Sequence, residues 1–342
     1  MTNSGRDGGR GINGSVIRLA GRGAELVVHP DRGGEITRVG RPGGANALFH
    51  DGARTPLRAS GSTSYGSSEA DWLSEYRGGW QELFPNAGAP CEVLGVPLPF
   101  HGEVSSARWT VTEVSATSVV MSTPARLPFV LERRIDVHPD DPVVRLTETV
   151  RNESDLELPY LWGHHPAFDA VPGSRIDLPG ATVHVPGDYD PPDNDLRPDT
   201  TAPWPFVPGK DGTEVDLRLV PGGPRERVTY LTDVTAGWAA LREPTGLGIA
   251  LAWDLAAFPH LWCWTEIGGT DFPWFGRSRI IALEPATSWP NDGLRSAVER
   301  GRARYLAGRA TASSWLTLTL FDADERPVTG VHQDGRIERH TD

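Results

Sequence analysis

Most of the chain alternates apolar and polar side chains with a period of two. In PVVRLTETV, Val144, Leu146 and Val150 share one face, while Arg145, Thr147 and Thr149 share the other. Short runs rich in β-branched and aromatic residues, cut by Gly, Pro, Asn and Asp, recur along the chain. They are SVIRLA, AELVVHP, GEITRV, ARWTVTEV, TSVVMST, PFVLERRIDVH, ELPYLWG, GWAALRE, LGIALAW, HLWCWTE, RIIALEP and WLTLTLF. Each is predicted as a strand. Helical spacing is convincing only in NDGLRSAVERGRARYLAG, residues 291–308, with Asn291 or Asp292 as cap and Leu294, Val298 and Tyr305 as apolar positions. Residues 186–212, rich in Pro and Asp, read as a long surface excursion. With no repeat and no flexible linker, the expected fold is all-β. A single large antiparallel β-sandwich should occupy residues 15–342, after a flexible N-terminus at 1–14.

One position breaks the alternation. The period puts Glu148 on the apolar side of its strand, and since an unpaired buried charge is costly, a rim position with the carboxylate reaching water is expected.

The formal net charge of −12 opposes broad affinity for nucleic acid or anionic membrane, which favours a small neutral partner. Cys91 and Cys263 lie far apart without zinc-type spacing, so neither a disulfide framework nor a metal site is expected, and a reducing cytoplasm fits. The first residues carry no apolar signal region, and no run of about 18 apolar residues occurs. A cytoplasmic protein, monomer or homodimer, is the expectation.

Four segments carry candidate chemistry. In GHHPAF, neighbouring strand residues point to opposite faces, so at most one of His164 and His165 serves a given site. Pro166 is expected to end ladder pairing there and to leave His165 at an opening. In RIIALEPATSWP, an apolar run delivers Glu284 to the point where the strand meets Pro285, a partly desolvated place that strengthens a carboxylate as a base. GGWQELFPN groups Trp80, Glu82 and Asn86, and LPFHGEV sets His101 beside Gly102, where backbone can approach a ligand. In FPHLWCWTE, Trp262 and Trp264 share a face. Aromatic faces beside carboxylates and amides suit a polyhydroxylated ring.

Taken in order, GGEITRV, GGWQELFPN, FHGEVSSARW, GHHPAFD, FPHLWCWTE, LEPATSWPNDG and WLTLTLF resemble the aldose 1-epimerase, or galactose mutarotase, family over roughly residues 15 to 321. The resemblance implies that family's supersandwich fold, a cleft for a free sugar and a mechanism without a cofactor. It also implies Glu284 as the base that takes the anomeric hydroxyl proton and His165 as the acid at the ring oxygen. In that mechanism His165 is protonated while Glu284 is ionised. The resemblance further implies His101 as a second histidine that helps hold the ring oxygen or neighbouring hydroxyls, Asn86 as the asparagine before HG, and Asp233 in YLTDV as a loose candidate for a substrate-binding aspartate; Trp80, Glu82 and Trp264 are expected as substrate contacts from the chemistry of their own segments. The expected activity is interconversion of the anomers of a free hexose or related sugar. A hexose-6-phosphate epimerase and a non-catalytic carbohydrate-binding protein are the alternatives, and a hydrolase using Glu82 and Glu284 ranks last. The arginine soon after HG that the phosphate-sugar relatives carry is replaced here by HGEVSSAR, with Glu103 close by.

Overall fold

Two large antiparallel sheets face each other across one core in the computed structural model, which describes residues 16–52 and 64–340. The expected flexible segment 1–14 lies outside the described residues. The first sheet has ten strands. Its centre runs, neighbour to neighbour, through Trp80–Leu83, Gly163–Asp169, Arg279–Ala286, His260–Ile267 and Arg225–Thr232. The second has eight, with Leu247–Trp253, Thr311–Asp322, Val143–Asn152 and Phe129–Val137 adjacent at its centre. The all-β sandwich expected from the alternation is the architecture found.

The alternation explains the layering. In Phe129–Val137, Phe129, Leu131, Ile135 and Val137 point inward, and in Val143–Asn152 so do Val144, Leu146 and Val150. The inward faces of both sheets form one cluster that includes Trp80, Trp162, Trp253 and Phe258. At ~25 cal/mol per Å² of apolar surface removed from water, each such fully buried aromatic is a major contributor to folding.

Several expectations need correction. Glu148 is not at a rim. It is fully buried, because the inward position opposite it in the ladder is Arg133, also fully buried, whose Nε donates to Glu148 Oε1 at 2.7 Å. The same guanidinium crosses the core to the other sheet, where Nη2 donates to Glu82 Oε2, and Nη1 donates to Gly34 O at 3.0 Å. Four inward polar residues, two from each sheet, thus replace hydrocarbon at the centre of the sandwich: Arg133, Glu148, Glu82 and His164. His164 and Glu82 are themselves ladder partners. The Trp80 indole N–H donates to His164 Nδ1 at 3.3 Å. An indole can only donate, so the imidazole proton sits on Nε2. That atom lies 2.9 Å from Glu148 Oε2, off the line of a good hydrogen bond.

Pro166 does not end its strand. The strand continues from Gly163 to Asp169, and pairing with Arg279–Ala286 lapses only between Gly163 and Ala167, where both Pro166 and the facing strand's Pro285 lack an N–H. The predicted late helix is confined to Gly293–Glu299, because the chain turns at Gly301 and re-enters a short strand at Arg304–Leu306. A second helix, Ser68–Glu75, escapes the periodicity because it has only two turns. Its signals are the Ser67 cap, which accepts from Ala70 N, and acidic Glu69 and Asp71 in the first turn. The excursion 186–212 is partly ordered into the strands Thr200–Pro203 and Phe206–Pro208.

Candidate functional site

The outward face of the ten-stranded sheet floors a cavity of about 770 Å³. Its position follows from register. Gly163 pairs with Ala286 and Ala167 with Ala282, so His165 comes opposite Glu284 on the neighbouring strand with both side chains on that face. His165 Nε2 stands 3.7 Å from Glu284 Oε2, and that oxygen has no hydrogen-bond partner in the protein. His164, one residue earlier, points into the core, as alternation requires.

Aromatic rings surround His165. Ring centroids of Tyr76, Trp72, Trp264 and His101 lie 5.2, 5.6, 5.6 and 5.6 Å away. Tyr76 Oη is 3.3 Å from His165 Nδ1. Trp72 and Tyr76 come from the short helix and its C-cap, spaced four residues apart so that their rings stack at 4.5 Å. Trp264 comes from His260–Ile267, with Trp262, on the same face, directly opposite Glu284. Trp274 packs against both Tyr76 and Trp264.

His101 reaches the cavity on a strained loop. Its backbone is left-handed, with φ 59°, and its ring is held because Gly88 N donates to Nδ1 at 3.0 Å. A backbone N–H can only donate, so His101 carries its proton on Nε2. Gly88 itself has φ +84°, and a Cβ there would lie 1.8 Å from Asn291 O, so only glycine fits.

Burial governs the charges. It pushes the Glu284 carboxyl well above its usual range and pulls His165 down to about 4. His101 is driven well below its ordinary value, first by burial and then by the facing His165. Desolvation of both groups thus opposes the ionised pair that the resemblance implies across 3.7 Å.

Of the residues singled out in the sequence for chemistry, the fold brings Glu284, His165, His101, Trp262 and Trp264 to one cavity. The others lie elsewhere. Trp80 and Glu82 are fully buried on the inward face, Glu82 also accepting from Trp162 Nε1 at 2.6 Å. Asn86 is a structural clip: its Nδ2 donates to Ala89 O and Pro99 O, and its Oδ1 accepts from Leu294 N, capping the late helix from outside. Asp233 is exposed in a turn and does not line the cavity. Trp72, Tyr76, Trp274, Glu226 and Glu266 were not legible as site residues, since each belongs to an element the periodicity left out or to the far end of one it found.

Among the described residues, only Glu82, Glu148 and His164 bring three metal-capable ligand atoms together, within 4.8 Å of one another. Arg133 already bonds both carboxylates, so this group is an ion-pair network in the core rather than a metal centre.

Solved structures share this architecture. A protein of Synechocystis sp. PCC 6803 is 18% identical with a TM-score of 0.65, the match covering 94% of this chain and 100% of that one. A putative aldose 1-epimerase from Escherichia coli K12 is 16% identical with a TM-score of 0.64, over 90% of this chain and 99% of that one. A galactose mutarotase-like protein from Lactobacillus casei is 15% identical with a TM-score of 0.62, over 90% and 100%. At such identities the likeness is one of fold. No curated protein matches the sequence. Residues 10–320 match a family defined by sequence, and on that ground the chain belongs to the family described as a domain of unknown function, DUF4432, built on the fold of the galactose mutarotase-like proteins.

Proposed function

We propose that the protein is an aldose 1-epimerase-like isomerase that opens and recloses the ring of a non-phosphorylated sugar, with Glu284 and His165 as its catalytic residues. The observation that carries this reading is one unpartnered carboxyl oxygen facing one imidazole nitrogen across 3.7 Å on an aromatic-walled floor. Two adjacent sugar oxygens, the anomeric hydroxyl and the ring oxygen, need one proton acceptor and one proton donor at that spacing.

Hydrogen bonds from substrate hydroxyls to Glu284 stabilise its carboxylate and move its proton to His165. Glu284 then takes the anomeric hydroxyl proton as the bond from the anomeric carbon to the ring oxygen breaks, and His165 protonates that oxygen. The open-chain aldehyde rotates and recloses by the reverse path. Ring opening discharges both groups, so it ends in the neutral pair that burial favours. Acid and base steps of this kind each contribute ~10²–10⁴-fold. Trp264 and Trp72 offer faces for the sugar C–H bonds. His101 Nε2–H is a donor for a neighbouring hydroxyl.

The lining opposes a phosphate. It contains eight carboxylates and, among the described residues, neither arginine nor lysine. The test is polarimetry of freshly dissolved α-anomers of several hexoses, paired with thermal unfolding in the same sugars and in their 6-phosphates. A neutral hexose at 100 times its Kd should add ~2.7 kcal/mol of stability. Stabilisation by the 6-phosphates alone would overturn the reading.

A further inference from the structure

A second cavity, of about 500 Å³, lies beyond the stacked Trp72 and Tyr76, both of which line it. Trp72 and Phe100 also line the cavity of Glu284, so the two are separated by single side chains. The second cavity shares the outward row of the ten-stranded sheet. His165 pairs with Gln81 on the next strand, and Gln81 Nε2 donates at 3.0 Å to Glu35 Oε1, one strand farther out. The charges here are already matched. Glu35 Oε2 meets Arg32 at 2.9 Å, and Asp31 meets Arg108 at 3.3 Å. Asp71 accepts from Ser64 Oγ and Tyr65 N, both at 2.6 Å. What is left over is acceptor oxygens. Gln81 is only 5% exposed, and its Nε2 also donates to Gly78 O at 2.7 Å. A carbonyl can only accept, so turning the amide round would set two oxygens against each other. Gln81 Oε1 is therefore fixed in place, and it has no partner in the protein. Glu103 lines the same cavity. Its Oε1 accepts from Arg126 N at 2.5 Å, while its Oε2 is buried and without a partner. Buried acceptors lacking a donor are costly, a carboxylate oxygen most of all.

We propose that this cavity is a second small-molecule site, separate from the reacting pair, for a neutral polyhydroxylated ligand, a polyol or a monosaccharide, whose hydroxyls donate to Gln81 Oε1 and Glu103 Oε2. Trp72 and Phe100 offer apolar faces for its C–H bonds. Ionic ligands fit less well. An ammonium ion would find Glu35 and Asp31 already matched by guanidiniums, and an anion would meet the bare oxygen of Glu103. Gln81, Glu35 and Glu103 have no part in the proposed chemistry at Glu284, so this site stands whether or not a sugar is turned over there.

The test titrates sorbitol, which has neither ring nor anomeric carbon, and methyl α-glucopyranoside, whose anomeric oxygen is blocked, by calorimetry and protein-observed NMR, with methylammonium as the charged control. Both polyols are expected to bind the native protein, and to bind Glu284→Gln with native affinity. Glu103→Gln sets an N–H donor where the unpartnered oxygen was, and Gln81→Met removes the other acceptor. Each should weaken binding at least ~tenfold. Gln81 is buried beside His165, so if Gln81→Met fails to fold, the more exposed Glu103→Gln carries the test alone. Affinity unchanged in Glu103→Gln, or lost in Glu284→Gln, would place the polyols elsewhere and overturn the inference. Binding of neither polyol would mean that water serves the two acceptors, and binding of methylammonium alone would reverse the ligand class; either overturns it too. None of these outcomes bears on the proposed isomerase activity, which anomer exchange decides separately.

Discussion

Replacing Arg133 by methionine removes the cation that joins the two sheets at the centre of the sandwich. The guanidinium makes three bonds, to Glu148 at 2.7 Å, to Gly34 O at 3.0 Å and to Glu82 across the sheets, and nothing in the core replaces them. Removing one partner of a buried ion pair costs ~3–5 kcal/mol, because the charge left behind is unpaired. At ~2.1 cal/mol/K per residue, 342 residues give a transition entropy of ~0.7 kcal/mol/K, so Tm should fall by ~4–7 °C. The loss should depend on pH. In the native protein burial already lifts Glu82 to about 7 from its ordinary 4.5, and Arg133 is the largest factor holding it down. Without Arg133 both carboxyls rise further. A carboxyl whose folded pKa exceeds its unfolded value costs stability as pH climbs from the unfolded value to the folded one. Up to about pH 7 native and variant accrue this cost alike, so the pH-dependent part of the variant's deficit opens above that and the deficit should be larger at pH 8 than at pH 5. Thermal unfolding followed by circular dichroism at both pH values measures it. An equal deficit at the two pH values, or none at pH 8, would refute the description of Arg133, Glu82 and Glu148 as one coupled unit.

In the proposed mechanism Glu284 and His165 work with one proton between them, so activity should be level across neutrality and fall as pH drops through about 4, where His165 gains a second proton for the pair. Initial-rate polarimetry over the range in which the fold is intact checks this, and a steep fall between pH 7 and 6 would contradict it. Tyr76→Phe removes the hydroxyl 3.3 Å from His165 Nδ1. Losing one such bond is worth ~0.5–1.5 kcal/mol, so kcat should drop by up to about tenfold with KM little changed. Gly88→Ala forces a left-handed alanine against Asn291 O, costing at least ~1–3 kcal/mol in chemical denaturation. A neutral result there would mean that the His101 loop is not built as described.

How much of this was legible in the sequence depends on the kind of signal. Period-two alternation is a local property, and all the strands predicted from it are present, including Val143–Asn152 and His260–Ile267. His165 and Glu284 were paired in the sequence by the resemblance; alternation showed only that the two histidines face opposite ways, and the apolar run before Pro285 marked the glutamate. What stayed hidden was cross-sheet pairing. Glu148 looked like a rim residue because the arginine that buries it lies 15 positions away, and its other partners are on the opposite sheet. Glu82 looked like a site residue because sequence cannot say which face of a four-residue strand turns inward. The helix Ser68–Glu75 is two turns long, too short for periodicity to show, yet its Trp72 lines the cavity and its C-cap Tyr76 packs on His165.

The central claim is that the carboxyl of Glu284 and the imidazole of His165 exchange protons with a bound sugar. Magnetisation-exchange NMR between α and β anomers, with native protein, Glu284→Gln and His165→Asn at equal concentration, addresses it most directly. The account predicts exchange well above the buffer rate with native protein, and a loss of at least ~10²-fold in each variant with the fold preserved. Native exchange no faster than buffer for every sugar, or variants as fast as native, would contradict it.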